Sequence, residues 1–497
     1  MSVTSDTRAP LRRPDRFFID GEWAAPSSGA MIDVIEPATE ELFFQVAEAR
    51  EADISAAVAA ARRAFDSGPW PRMTHEERAG YLRAIAAAIG RRAEDASQIW
   101  PRESGILYAA ARAGIGGIPK TYEFYADLAS DYPFETPREP VAGGKFGLLV
   151  REAVGVVGAV IPWNAPMALT AHKLAPALLA GCTVVLKCSP EAPGAGYLMA
   201  EIAEEVGLPA GVLNVVTADR EVSELLVRDP RVDKIAFTGS TAAGRRIASL
   251  CGERIARFTL ELGGKSAAVI LDDMDLGRAA EVLSSAECRL TGQVCASLTR
   301  IVVTRKRHDE LVEALSSTFS QVQVGDPFDD STQMGPLAMR RQRDRVEGYI
   351  AKGIEEGAVL ATGGGRPKHL DRGFFVEPTV FANVDNSSTI AREEIFGPVL
   401  TVIPAEDEED AVAIANDTIY GLNASVFTND VDRARHVARQ LRSGTVGHNA
   451  FRMELSIGFG GFKQSGIGRE GGREGLLPYL ESKTVILEDV PTEYRTK

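Results

Sequence analysis

Cys295 ends the run Gly292-Gln293-Val294-Cys295, and 34 positions earlier Glu261 opens the run Glu261-Leu262-Gly263-Gly264-Lys265. A thiol becomes a nucleophile when a base or a lowered pKa supplies the thiolate in a partly open site. A carboxylate can serve as base for a thiol or for a water. The spacing leaves room for a strand, a helix and a loop between them, so the two groups can come from separate elements and face one pocket. Gly263 and Gly264 let the backbone turn sharply and let a planar group approach. Gly292 does the same for the loop that carries the thiol. A lone cysteine is usually a small buried hydrophobe, so the case for chemistry rests on what surrounds the pair.

The elements that must hold these residues alternate. From 155 to 271 strands are expected at 156–161, 183–187, 213–216, 234–237 and 259–262. Helices are expected between them at 168–179, 195–206, 222–228 and 242–250. This pattern is a parallel α/β sheet. A second α/β pattern runs from Ser266 to about Ala450, with strands at 267–271, 300–303, 375–380 and 399–404. Upstream, Phe17 to Trp23 reads as a short hairpin around Asp20-Gly21. Helices follow at 51–65 and 74–92, with acidic residues early and Arg91 and Arg92 late, as the helix dipole prefers. Residues 94–130 read as helical with an interruption at Gly114-Ile115-Gly116-Gly117. Residues 1–15 read as a disordered arm. Pro133 to Pro140 is a break. The apolar run from Gly147 to Val160 reads as strands, the first leaving the main body.

The chain has 497 residues, too many for one core, with 45% apolar and 25% charged residues. Fifty-five basic against 69 acidic residues give a net charge of −14. That excess disfavours nucleic acid or an anionic membrane surface as a partner. Five cysteines without regular spacing give neither a disulfide framework nor a zinc pattern. A reducing, cytoplasmic compartment is the natural setting. Six scattered histidines suggest no metal site. The N-terminus lacks the apolar core of a signal peptide, and no apolar run reaches the length of a membrane helix.

Three further turns carry binding or catalytic chemistry. Gly239-Ser240 follows a strand and opens a helix, where Ser240 and the helix N-terminus can hold an anion such as a pyrophosphate. Lys187 ends a strand, where ligands of α/β sheets sit. Asn164 in Pro162-Trp163-Asn164 can donate an amide N–H to a developing oxyanion. Neither a complete GxGxxG fingerprint nor a GxxxxGK[ST] loop is present.

The runs around Glu261 and Cys295 resemble the two active-site signatures of the NAD(P)-dependent aldehyde dehydrogenases. Glu394-Ile395-Phe396-Gly397-Pro398 and Gly460-Gly461-Phe462-Lys463-Gln464-Ser465-Gly466 are further matches, and the likeness extends from about Phe17 to Leu487. The resemblance implies two doubly wound, Rossmann-like α/β domains with a small β bridging extension. Residues 1–132 and 153–262 would bind the dinucleotide, 263–470 would carry the catalytic residues, and 133–152 with 471–497 would bridge subunits of a homodimer or homotetramer. It also implies oxidation of a small-molecule aldehyde. Cys295 is then the nucleophile, Glu261 the base for hydrolysis, and Asn164 with the Cys295 N–H the oxyanion donor. Cofactor contacts are implied at Ile161, Pro162, Trp163, Lys187, Ser189, Glu191, Gly239, Ser240, Leu262, Glu394 and Phe396. Lys173 and Glu470 align with a proton relay. The pattern departs after Lys187. The family commonly has a glutamate three residues on, binding ribose hydroxyls and favouring NAD. Here Pro190 stands there and Glu191 comes one place late. NAD is expected, with NADP tolerated if Glu191 does not substitute. Ala165, Ala168, His172, Met453 and Phe459 would line the substrate pocket. Small residues where several relatives have aromatics imply a wide pocket for an apolar medium-to-long, terpenoid or aromatic aldehyde. The alternative is a CoA-acylating or semialdehyde-type member, and Glu261 argues against the acylating form.

Overall fold

A computed structural model describes residues 9–495. Valine- and alanine-rich runs form two sheets with helices on both faces. The first has eight strands, in the order Gly466–Ile467, Arg257–Glu261, Lys234–Thr238, Val156–Val160, Thr183–Cys188, Leu213–Thr217, Phe17–Ile19 and Glu22–Ala24. Its five central strands are parallel, and the additions at both ends are antiparallel. Successive side chains on a strand point to opposite faces. Val157 and Ala159 therefore enter one core while Val156 and Val160 enter another. Burial on both faces is what a run such as Val-Val-Gly-Ala-Val requires.

The second sheet has seven strands, ordered Val359–Thr362, Thr379–Ala382, Val399–Ala405, Arg300–Thr304, Ala267–Ile270, Asn423–Phe427 and Thr445–His448. Only its first pair is antiparallel. Ala268 and Ile270 face one core, Ala267 and Val269 the other. A three-stranded antiparallel sheet joins Leu480–Leu487 to Phe146–Ala153 and Glu135–Arg138. Met31–Ile35 and Leu42–Ala47 form a separate hairpin. No helix among the described residues is long and apolar enough to cross a membrane.

Several expectations need correction. The helical stretch does not break at Gly114–Gly117. It breaks at Gly105, a left-handed cap between the helices Ala93–Ser104 and Tyr108–Asp131. A glycine at φ 78° ends a helix cheaply. Gly114 stays helical and lies under the Trp100 ring, where a β-carbon would come within 3.0 Å. The strand expected at 375–380 is Thr379–Ala382, beginning after Pro378, which has no N–H for a ladder. Residues 1–8 lie outside the described residues. Residues 9–15 are not a free arm: Ala9 is buried, and the Arg12 N–H donates to Glu201 Oε1 at 2.6 Å.

Candidate active site

Glu261 is the last residue of its strand, in register with Thr238 on one side and Gly466 on the other. The approach of Gly460 makes this site possible. At φ 155°, a β-carbon there would lie 2.6 Å from Glu261 Oε1. Glu261 Oε2 has no hydrogen-bond partner among the described residues. A buried oxygen without a donor is a place for a water or a proton. Burial pushes this carboxyl well above its ordinary 4.5, Glu470 adds to the rise, and Lys173 and Arg469 oppose it.

Lys173 comes from the helix Pro166–Ala180. Its Nζ donates to Thr238 Oγ1 at 2.6 Å and to Glu470. Glu470 is tied by two backbone bonds, 2.7 and 2.8 Å, to Phe459. The segment 459–470 is also fastened to the turn after Glu261. Leu262 N–H donates to Ser465 O at 2.9 Å, and Ser465 Oγ donates to Gly263 O at 2.7 Å.

Cys295 sits half-buried on the loop between the helix Leu276–Cys288 and the strand Arg300–Thr304. Gly292 turns the loop at φ 69°, where a β-carbon would lie 2.3 Å from the Gly397 carbonyl carbon. Burial, then the nearby Glu394 and Glu261 carboxyls, push the thiol up to about 12. Asn164 is brought to the same loop. Its Nδ2 donates to Gln293 O at 3.0 Å, two residues before the thiol. An amide has two N–H donors, so one remains for another acceptor. Trp100 Nε1 donates to Asn164 O at 2.8 Å and fixes its backbone.

The other expected residues gather along the carboxyl ends of the first sheet. Ile161 N–H donates to Lys187 O at 3.2 Å, joining the turn Ile161-Pro162-Trp163 to the end of the next strand. Lys187 is buried near the end of its strand, and burial lowers its pKa below the ordinary lysine value. Ser240 caps its helix by accepting from the Ala243 N–H at 3.3 Å. Gly239 precedes it, and Leu262 packs on Gly244 of the same helix, where no β-carbon would fit. Trp163 and Phe396 meet edge to face at 5.4 Å. Glu394 Oε1 accepts the Gly264 N–H at 3.1 Å, and burial raises this carboxyl to about 7. Both oxygens of Glu191 have protein partners, Ser189 and Arg341. Burial works against its charge, but Arg341 and Ser189 outweigh it and hold the pKa below the ordinary value. A buried lysine at a strand end, a helix N-terminus and an aromatic corner fit an extended anionic dinucleotide.

One turn apart on the helix Pro166–Ala180, Ala168 and His172 share a face, and Ala165 is the N-cap of that helix. The alanines are part-exposed; His172 is buried with Nδ1 unpartnered, and burial lowers it to about 4. Phe459 packs with Ala296 and Leu422, against which Val294, Cys295, Phe451 and Leu455 also lie. Met453 is 40% exposed on a loop at the rim of this cluster. Sequence reading passed over Gln293 and Trp100. Gln293 carried a signal, a polar residue inside the signature itself. Trp100 carried none, since its contact is made across 64 positions.

Comparison with known proteins supplies a frame for this geometry. The aldehyde dehydrogenase family model matches residues 23–485. The geranial dehydrogenase of Castellaniella defragrans is 45% identical over 471 residues, spanning 95% of this chain and 98% of that protein. An aldehyde dehydrogenase of Mycobacterium tuberculosis, solved with NAD+, superposes with a TM-score of 0.93 at 45% identity, covering 97% of this chain and 99% of that one. A mutant of aldehyde dehydrogenase C from Pseudomonas syringae, solved with NAD+ and octanal, gives a TM-score of 0.93 at 39% identity, covering 98% and 99%.

Proposed function

Because the chain belongs to the aldehyde dehydrogenase family, we propose that it oxidises an aldehyde to its carboxylic acid with NAD, through a covalent bond to Cys295. The observation that carries this reading is the meeting of three groups: a thiol, a buried carboxyl with an unpartnered oxygen, and an amide anchored beside the thiol. In the first step Cys295 Sγ bonds to the aldehyde carbon while its proton passes to Glu261. Asn164 Nδ2 and the Cys295 N–H donate to the new oxyanion, each such donor lowering the barrier by roughly 3–4 kcal/mol. NAD, when bound, supplies the hydride acceptor. Loss of the C–H electron pair leaves a thioester on Cys295. Glu261 sheds its proton towards Lys173 and Glu470, then takes one from a water that attacks the thioester. The acid departs and the thiol is restored.

Lys187, Ser240 with its helix N-terminus, Glu394 and the Trp163–Phe396 corner would hold the dinucleotide, with Ile161, Pro162, Gly239 and Leu262 shaping its bed. Ser189 and Glu191 would border its ribose end. We assign the eight-stranded sheet to the cofactor, the seven-stranded sheet to the thiol, and the three-stranded sheet to a contact between copies in a homodimer or homotetramer. Five free cysteines suit a reducing, cytoplasmic setting.

The substrate reading rests on the lining. Phe459, Val294, Phe451 and Leu455 beside the thiol are apolar, and Ala165 and Ala168 leave width. That favours an apolar medium-to-long, terpenoid or aromatic aldehyde. Relatives named for geranial and solved with octanal agree with it. The test is appearance of reduced nicotinamide by absorbance across aliphatic, terpenoid and aromatic aldehydes, with Cys295→Ala as control. Efficiency should be higher on the apolar aldehydes than on acetaldehyde or succinic semialdehyde, and activity should vanish in the control. Preference for the smallest or the acidic substrate would refute the pocket assignment. No reduction with any aldehyde would refute the reaction.

A further inference from the structure

We infer that Glu287 is a positioning residue that fastens the nucleophile loop on both sides of Cys295. The inference rests on the reading of Cys295 as the nucleophile. Glu287 lies in the last turn of the helix Leu276–Cys288 and is only 2% exposed. Its backbone carbonyl accepts the Gly292 N–H at 2.7 Å. Its side-chain Oε2 accepts Ser297 Oγ at 2.8 Å. One residue thus bonds the loop three positions before the thiol and two positions after it. Between these points the loop is a series of tight turns, with Gln293 N–H donating to Leu290 O at 2.9 Å and Ser297 N–H to Val294 O at 3.0 Å. No strand or helix holds residues 289–299.

The environment makes a carboxylate an expensive choice here. Oε1 of Glu287 has no hydrogen-bond partner among the described residues, and neither do Lys265 Nζ, Ser266 Oγ and Ser284 Oγ. Burial opposes its charge, and Ser297 and Lys265 only partly relieve it. A leucine would fill the space without burying a charge, but it would leave the Ser297 hydroxyl without its acceptor. What leucine cannot do is accept the Ser297 hydroxyl. The bond to Ser297 is therefore the distinctive contribution of this side chain. Its consequence is a fixed thiol, since a reacting atom displaced by about 1 Å loses on the order of a hundredfold in rate.

The test uses the full-length enzyme and four variants, Glu287→Leu, Glu287→Gln, Ser297→Ala and the double Glu287→Leu/Ser297→Ala. Hydrogen exchange read by mass spectrometry would follow the peptide spanning 289–299, beside kcat and the KM for NAD. In Glu287→Leu and Ser297→Ala, exchange in that peptide should quicken roughly tenfold while other peptides keep their rates. Over the same variants kcat should fall about tenfold or more with KM for NAD unchanged. Glu287→Gln keeps an acceptor oxygen and should restore most of both. The double variant should be no worse than Glu287→Leu, because the two changes break one bond. Folded variants whose loop peptide exchanges at the wild-type rate would overturn the assignment, as would additive losses in the double variant. Ser297→Ala removes a single hydroxyl, which keeps the test open if Glu287→Leu does not fold. A wild-type enzyme that oxidises no aldehyde would sink the functional reading instead, and the exchange rates would still decide the role of Glu287.

Discussion

At rest the Cys295 thiol keeps its proton, because burial and the Glu394 and Glu261 carboxyls all oppose a thiolate. The same burial raises Glu261, so the two groups share a preference for the protonated state. That coupling gives chemistry its order. A charge can appear at Cys295 only as its proton leaves, and of the two carboxyls that bear on the thiol we assign Glu261 as the acceptor. In the hydrolytic step only the carboxylate form of Glu261 works. Its raised pKa therefore moves the rising limb of the rate above the ordinary carboxyl value of 4.5, and activity is lost as pH falls through that limb. Thioester hydrolysis, followed in single turnovers, should climb with pH through this limb in the wild type. Glu261→Gln should lower its rate by ~10²–10⁴ and flatten the limb, leaving the weaker dependence of Glu394, which titrates near 7. A variant that hydrolyses the thioester at the wild-type rate would remove Glu261 from the role of base.

Among elements, the helix Pro166–Ala180 and the segment 459–470 are locked together by the buried pair Lys173–Glu470. Glu470→Ala strands a buried ammonium, a loss that costs about 3–5 kcal/mol, whereas a surface pair is worth about 1 kcal/mol or less. Chemical denaturation should show that deficit. A shift under 1 kcal/mol would mean that Lys173 finds another acceptor when Glu470 is gone. The alternation of strands and helices was legible because buried parallel strands are unbroken apolar runs. The placement of Glu261 at a strand end, Ser240 at a helix cap and Cys295 on a glycine-turned loop followed from local chemistry. Of the contacts that complete the site, only the Lys173–Glu470 pairing was anticipated, and that through the family resemblance rather than through any local pattern. Trp100 reaches Asn164 only because Gly114, which reads locally as a helix breaker, stays helical and leaves room for the indole. Glu470 meets Lys173 across 297 positions, and Arg341 meets Glu191 across 150. No periodicity encodes such pairs, and only the assembled fold brings them together.

For the whole molecule, the three-stranded sheet is the feature the two larger sheets do not explain. The strand Leu480–Leu487 pairs with Phe146–Ala153 along one edge and, among the described residues, has no neighbour on the other. An unpaired edge invites another chain. Leu477 and Ile486 stand 51% and 59% exposed on or beside it. Isolated exposed apolar residues need no explanation, but two beside a free edge suit a contact with a second copy. A net charge of −14 works against association of unmatched surfaces, so a stable contact would have to come from such apolar ground. Leu477→Arg and Ile486→Arg lie outside every buried core, so each should change the stability of one chain by no more than about 0.5 kcal/mol. If this sheet joins subunits, light scattering after size exclusion should give a dimeric or tetrameric mass for the wild type and a lower mass for the double variant. The variant's unchanged melting profile at low concentration would separate lost association from lost folding. A wild type that runs as a monomer, or a variant of undiminished mass, would remove this edge from the assembly.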